Sequence, residues 1–519
     1  MRSTALLVLA ASLACRGGGD ASGDRRTLVD SRDNEDPRSL DPALSTDVPT
    51  GRAVAYVFDG LTRFTPDARL EPGLAERWDV SPDGLTYTFH LRQGVKFHDG
   101  TPFAARHVVH SFRRALDPAS LGGRPTPLLP IKGASDFNTK RATDVAGVVA
   151  RDDSTVVVTL GEPLAFFPKL LAMPVAAIVP DSTTKDFGLH PVGTGPWKFV
   201  EWQHDDFLRF AANQSYWGGA PRFDSLVARI IPEKSTAVAE FESGNVDVLL
   251  VPEADTPEWE QTDERKGLLQ SAPALRFVHV AINTTRGPLA KREVRQAINH
   301  AVDVGSVLRQ LFGSRGRRAA GVIPPILEGA DTTRQPYAFD PARARQLLTQ
   351  AGYPNGIDIE LWVSPVYVRL AQTIQGYLSQ SNIRAKLVQR DAPSVREAAR
   401  KGETDMSVRD WYADYPDAEN FLYPLLYSAN KGVGGNYSFY ANPEFDRRVA
   451  SARREQNDTL RARLYREADA LAFTDAPMLY LFFYNELYAV QPWVRNFQVP
   501  VIFNGQRWLG VELRNRGGR

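Results

Sequence analysis

The sequence predicts an α/β protein built of several packed lobes, and three observations predict it. The chain has 519 residues and is 43% hydrophobic, more than one simple core requires. Strand-like and helix-like stretches alternate irregularly, without the strict strand–helix–strand rhythm of a single parallel sheet. No internal repeat is visible, so the chain is expected to cross between unlike lobes more than once, and such crossings make natural hinges.

The N-terminus, MRSTALLVLAASLAC, carries Arg2 and then a small-residue, apolar run from Thr4 to Ala14. That run is too short to span a bilayer and suits a signal segment. It resembles a bacterial lipoprotein signal, residues 1–15, in which Cys15 becomes the first residue and carries the lipid. Ser12 stands where leucine is usual, and an ordinary secretory signal cleaved nearby is the alternative reading. Residues 16–27, opening RGGGDASGDRR, are expected to form a flexible polar tether. Cys15 is the only cysteine, so once acylated it leaves no disulfide and no thiolate chemistry. No later stretch is long and apolar enough to cross a membrane. The expected location is outside the cytoplasm, periplasmic or cell-surface, held to the membrane by a lipid.

Residues 85–91, LTYTFHL, alternate apolar and polar after Pro82-Asp83-Gly84 and read as a half-buried strand. Residues 156–160, VVVTL, read as half of another hairpin. Residues 104–116 place Val108, Val109, Phe112 and Leu116 on one helical face. A helix over 341–351 has Asp340 as cap, Pro341 in its first turn and Gly352 as its stop. Residues 443–455 and 458–474 read as a helical pair, with Asp458 capping the second.

The charge balance, 62 basic against 61 acidic residues, provides no global field for nucleic acid or an anionic membrane. Enzyme signatures are missing. No serine sits in a G-x-S-x-G elbow and no H-E-x-x-H occurs. His107 and His110 share a helix face without a third ligand nearby, and they read as ordinary surface or core histidines. Gly193-Thr194-Gly195 is followed by Pro196, which removes an N–H that a phosphate cradle would need. No catalytic residue, metal site or cofactor is assigned.

The run EPGLAERWDVSPDGLTYTFHLRQGVKFHDGTPFAARHVVHSFRRALDP, residues 71–118, resembles the family 5 extracellular solute-binding proteins. So do SLDP at 39–42, GTGPWKFVEW at 193–202 and NQSYWGGAPRFD at 213–224. FESGNVDVL at 241–249, REVRQAINHAVD at 292–303 and ANPEFD at 441–446 complete a colinear series from Ser39 towards the C-terminus. These motifs identify a scaffold rather than a ligand: Asp83-Gly84 and Asp99-Gly100 read as turns, and Trp78, Phe97 and Trp217 as core. The resemblance implies a two-lobed periplasmic-binding-protein fold, type II-like, with an inserted domain and a ligand cleft between lobes. By analogy, residues 28–58, 186–272 and 482–519 build lobe I, 59–185 the inserted domain and 273–481 lobe II. The hinge crossings fall near 270–276 and 480–486.

The resemblance also implies a function: capture of short peptides for an ABC permease with a cytoplasmic ATPase, by a monomer, without catalysis. In oligopeptide-binding relatives a W-x-A-D-Y run lies at the cleft, and its aspartate pairs with the ligand's α-ammonium. Here that run is Trp411-Tyr412-Ala413-Asp414-Tyr415, so Asp414 is the carried-over anchor. Main-chain groups around Val408 to Ala413 are expected to hold the peptide as an added strand. Trp411, Tyr412, Ala413, Tyr415 and, where the chain leaves the hinge, Asn283 complete the expected binding set. A structural, hydrogen-bonding role is the alternative for Asp414. Asp417 reads as a helix cap, and Asp410 as a partner of Arg409 or a solvated acid. One departure stands out. Relatives that use an arginine three residues before the tryptophan to hold the peptide's C-terminus have it where this chain has Val408, and Arg409 points to the opposite face. The same scaffold binding a sugar, a metal chelate or haem is the alternative function.

Overall fold

The computed structural model describes residues 27–514, apart from 121, 122 and 185. Cys15 and the tether lie outside the described residues. One mixed sheet of eleven strands runs through the molecule. Its spine is a pair of long antiparallel neighbours, Leu269–Ile282 and Met478–Val490, of 14 and 13 residues. Their sequences, LQSAPALRFVHVAI and MLYLFFYNELYAV, are rich in β-branched and aromatic residues, which suit a buried pleat. These are the strands on which the expected crossings at 270–276 and 480–486 fall. Their ladder loses register between Pro273 and Phe277, where a proline cannot donate to the ladder.

On one side of this interruption the sheet continues through Val248–Leu250, Thr27–Asp33, Ser225–Ile230, Phe207–Ala212 and Trp197–Gln203. Their core gathers Leu28, Trp197, Phe210, Leu226 and Trp508. On the other side lie Met406–Tyr412, Ile357–Val363 and Ile383–Gln389, with a core that includes Val280, Ile298, Leu361 and Ile374. These last three strands are mutually parallel. Their carboxyl ends therefore share one rim, and that is where open α/β sheets place ligands.

A separate four-stranded antiparallel sheet pairs Ala75–Val80 with Thr86–Leu91, then Thr155–Thr159, then Val148–Asp152. The strands expected at 85–91 and 156–160 are its two middle members. Gly84 takes φ 69° in the turn before Thr86, a conformation that favours glycine. A Cβ at Gly193 would lie 2.0 Å from the Val57 carbonyl oxygen, so GTGPW marks a close backbone passage.

The helices begin and end where cap chemistry dictates. Ala105–Leu116 buries Val108, Phe112 and Leu116. Pro341–Gln350 starts under Asp340, whose carboxylate accepts from Arg343 N at 2.8 Å. In the pair Pro443–Arg454 and Asp458–Asp475, the second cap is Asn457, accepting from Leu460 N at 3.0 Å, rather than Asp458. No helix among the described residues is long and apolar enough to cross a membrane.

Candidate functional site

The segment 410–417, DWYADYPD, leaves the rim of the second lobe. Strand Met406–Tyr412 pairs in full with Arg276–Ile282 on one edge. On its other edge only Met406 and Ser407 are paired, with Leu361 and Trp362, because Ile357–Val363 ends there. From Val408 to Tyr412 that edge has no strand partner among the described residues. The result is an open slot, closed at the Ser407 end and opening towards Asp414.

Asp414 sits two residues past the strand, at the mouth of the slot, and its side chain is exposed. Ala413 N donates to Leu275 O at 2.8 Å, which fixes the turn out of the sheet. Asp414 N donates to Asn420 Oδ1 at 2.8 Å. The Asn420 side chain also bonds the Asp414 carboxylate. Asn420 itself is 5% exposed and rides on helix Glu419–Leu426. One buried amide thus orients both the backbone and the carboxylate. The carboxylate opens to solvent but is walled by protein on most sides. That enclosure pushes its pKa above the ordinary value, while the charge of Arg124 and the Asn420 bond hold it down. Asp414 has no ion-pair partner among the described residues, so its charge is free for a ligand cation.

The other two acids are committed elsewhere. Asp417 is 3% exposed. One oxygen accepts from Glu419 N at 3.0 Å, although the cap position of the helix is Ala418 rather than the expected Asp417. The other meets Lys169 Nζ at 2.7 Å and Arg461 at 2.8 Å. This two-cation embrace outweighs burial and holds its pKa at about 2. Asp410 pairs across the ladder with Arg276, at 3.1 Å, rather than with Arg409. Arg276 also donates to Tyr367 OH at 2.9 Å.

The expected aromatic neighbours divide. Trp411 is half-buried, and its Nε1 is enclosed without an acceptor among the described residues. Tyr412 is half-buried beside Glu486, Tyr488, Arg52 and Arg276, and burial raises its hydroxyl pKa. Tyr415 is turned away: its ring stacks on Phe166 at 5.6 Å and 7°, and its hydroxyl donates to Glu419. It ties the inserted region to the segment rather than facing the slot. Asn283 is not brought to the others. It follows Ile282, whose ladder partner is Met406 at the far end of the strand from Asp414. Its amide is used locally, by Gly402 O and by Thr285.

Sequence reasoning missed Asn420, Lys169 and Arg461. Of these, only Asn420, six residues from Asp414 at the start of an apolar helical run, left a local trace. Among the described residues no group of three or more His, Cys, Asp or Glu is placed to hold a metal.

A family model described as bacterial extracellular solute-binding proteins, family 5 middle, matches residues 69–433. Heme-binding protein A of Haemophilus influenzae is 33% identical over 468 residues, covering 85% of this chain and 84% of that protein. The dipeptide-binding protein of Escherichia coli is 31% identical over 487 residues, covering 88% of this chain and 89% of the other. The periplasmic binding protein DppA of Helicobacter pylori, solved in complex with the peptide STSA, superposes with a TM-score of 0.75 at 28% identity, covering 94% of this chain and 98% of that one. The colinear motifs, the two-lobed architecture and these likenesses converge. The chain belongs to the family 5 bacterial extracellular solute-binding proteins, and it is a two-lobed transport binding protein rather than an enzyme.

Proposed function

We propose that this protein captures short peptides outside the cytoplasm and delivers them to an ABC permease. The carrying observation is Asp414, an exposed carboxylate at the mouth of a strand-wide slot, oriented by Asn420 and without an ion pair among the described residues. An ammonium leaving water needs a charged acceptor, and Asp414 supplies one. The open edge from Val408 to Tyr412 offers backbone groups to an incoming strand. Such pairing ignores side-chain identity, and waters adapt the contacts to varied side chains. The two long strands hinge where their ladder is interrupted, so the lobes close over the ligand. The closed form docks on the permease, whose cytoplasmic ATPase drives release. Cys15 would hold the protein at the membrane as a lipoprotein. Peptide-binding relatives support this reading.

A second reading, a non-peptide solute such as haem, draws support from the likeness to heme-binding protein A. Calorimetry separates the two. Tetra-alanine is expected to bind the wild type with micromolar affinity, about −8 kcal/mol, and N-acetyl-tetra-alanine poorly. Asp414→Ala is expected to cost roughly 2–5 kcal/mol with the free-amino peptide. Equal binding of tetra-alanine by the variant and the wild type would sink the anchor assignment.

A further inference from the structure

A second cavity lies on the far side of the long central strands from the slot. A short strand, Gly316–Arg318, pairs with residues 482–484 of Met478–Val490. Two strands separate it from Met406–Tyr412, which puts it roughly 14 Å across the sheet. From Ala319 to Asp340 the chain then runs without helix or strand. Irregular segments of that length inside a compact fold are uncommon and usually functional. Between this segment, the short strand and helix Asp458–Asp475 opens a cavity of about 410 Å³, within the size range of small-molecule sites. Ile323 and Phe483 give it apolar walls.

The charges around this cavity do not cancel. Arg317, Arg318 and Arg334 line it together with Asp331 and Asp469, so three guanidinium groups meet two carboxylates. Asp469 is 2% exposed and accepts from Val322 N at 2.7 Å and from Arg334 Nη1 at 2.6 Å. A Cβ at Gly321 would lie 2.2 Å from that carboxylate, so a glycine lets the segment pass over the ion pair. The other Arg334 nitrogen, Nη2, is enclosed without an acceptor, and Asp331 stands off from it at 3.6 Å. Asp331 Oδ1 is taken by the backbone N–H groups of Thr333 and Arg334. Arg318 donates through Nη2 to Tyr337 O at 2.7 Å, but its Nε is enclosed and unpartnered. Asp303 is near enough to feel Arg318, yet its oxygens accept from Ser306. Arg317 is exposed and makes no ion pair among the described residues. Folded proteins satisfy most buried polar groups, and two unmet guanidinium donors beside one cavity call for an explanation.

We propose that this cavity is a second binding site, for a small phosphate-bearing anion whose head is held by Arg317, with Arg318 and Arg334 turning their unmet N–H groups towards it. Arg317 offers an accessible planar fork, which matches phosphate oxygens in pairs. A phosphate presents oxygens in several directions at once, as three separate guanidinium groups require, whereas a carboxylate presents two in one plane. The apolar walls leave room for a small organic body behind the head. The site lies outside the slot, so it does not depend on what the slot holds.

Calorimetry with inorganic phosphate on the purified protein, in chloride buffer of constant ionic strength, tests this. The wild type should show a saturable isotherm for phosphate and bind acetate about tenfold more weakly or worse. Arg317→Gln should lose about tenfold or more in phosphate affinity, and Arg317→Lys should keep most of it. Neither variant should lower the unfolding temperature of the free protein, because Arg317 is exposed and unpaired. Arg343→Gln, which changes an exposed arginine on helix Pro341–Gln350 away from the cavity, should bind phosphate as the wild type does. So should Asp414→Ala. No saturable binding by the wild type would overturn the site, and so would binding that Arg317→Gln leaves unchanged. A loss on Asp414→Ala would put the anion in the slot and overturn it too. Acetate bound as tightly as phosphate would overturn the phosphate class.

Discussion

Two acids three residues apart, Asp414 and Asp417, are put to opposite uses by their surroundings. Asp414 is exposed beside the open strand edge and makes no ion pair among the described residues. Asp417 closes a buried junction with Lys169 and Arg461. Glu419, two residues on, is 2% exposed and pairs with Arg453 at 3.0 Å. Burial outweighs that pairing and lifts its carboxyl to about 7, against an ordinary 4.5. The sign follows from linkage. A raised acid contributes stability that is full below pH 4.5 and is lost as pH rises through about 7. Asp417 has the opposite sign, its contribution being present above pH 3.8 and lost as pH falls towards about 2. Urea unfolding of the wild type and of Glu419→Gln across pH should therefore show the wild type losing stability relative to the variant between 4.5 and 7. A difference between the two proteins that stays constant over this window would contradict the assignment. The charge partners of Asp417 and Glu419 were not legible in the sequence. Lys169 and Asp417 stand 248 positions apart, and no local pattern announces a pairing at that distance. The alternation of an extended segment, by contrast, was enough to place Val408 and Arg409 on opposite faces.

At the scale of elements, strand Met406–Tyr412 is the working part. Its extended course followed from the family resemblance, but its half-open edge could not be read. That edge depends on Ile357–Val363 stopping one residue beyond the pairing of Trp362 with Ser407, which is a property of two distant segments. Local signals served well where chemistry is local. Asp340 and Pro341 start a helix, and Gly84 sets a turn. They failed narrowly where two adjacent residues compete for one job, since Asn457 rather than Asp458 caps the helix that begins at 458. If a peptide adds to the open edge, alternate amides of Val408–Tyr412 should exchange rapidly with solvent in the free protein and slowly with tetra-alanine bound. Hydrogen exchange read by mass spectrometry would show this. Unchanged exchange across 406–414 at saturating peptide would mean that the ligand is held by side chains alone.

Across the whole molecule, two long strands join the lobes, and their ladder is interrupted between Pro273 and Phe277. This supplies both continuity and a place to bend. The inserted region does not stand apart. Phe166 stacks on Tyr415, and Lys169 reaches Asp417, so it braces the segment that bears Asp414. The family motifs encode this scaffold, and for that reason they announced the fold long before the ligand. Relatives sharing the scaffold include proteins named for haem and for dipeptides, and the difference must lie in a few cleft residues. Native mass spectrometry of the exported domain, purified from a bacterial host, tests the central claim most directly, because a binding protein that encloses its ligand retains it through purification. The account predicts a spread of added masses that fragment into short peptides. A single discrete mass that is not a peptide, such as haem, would keep the fold and contradict the ligand.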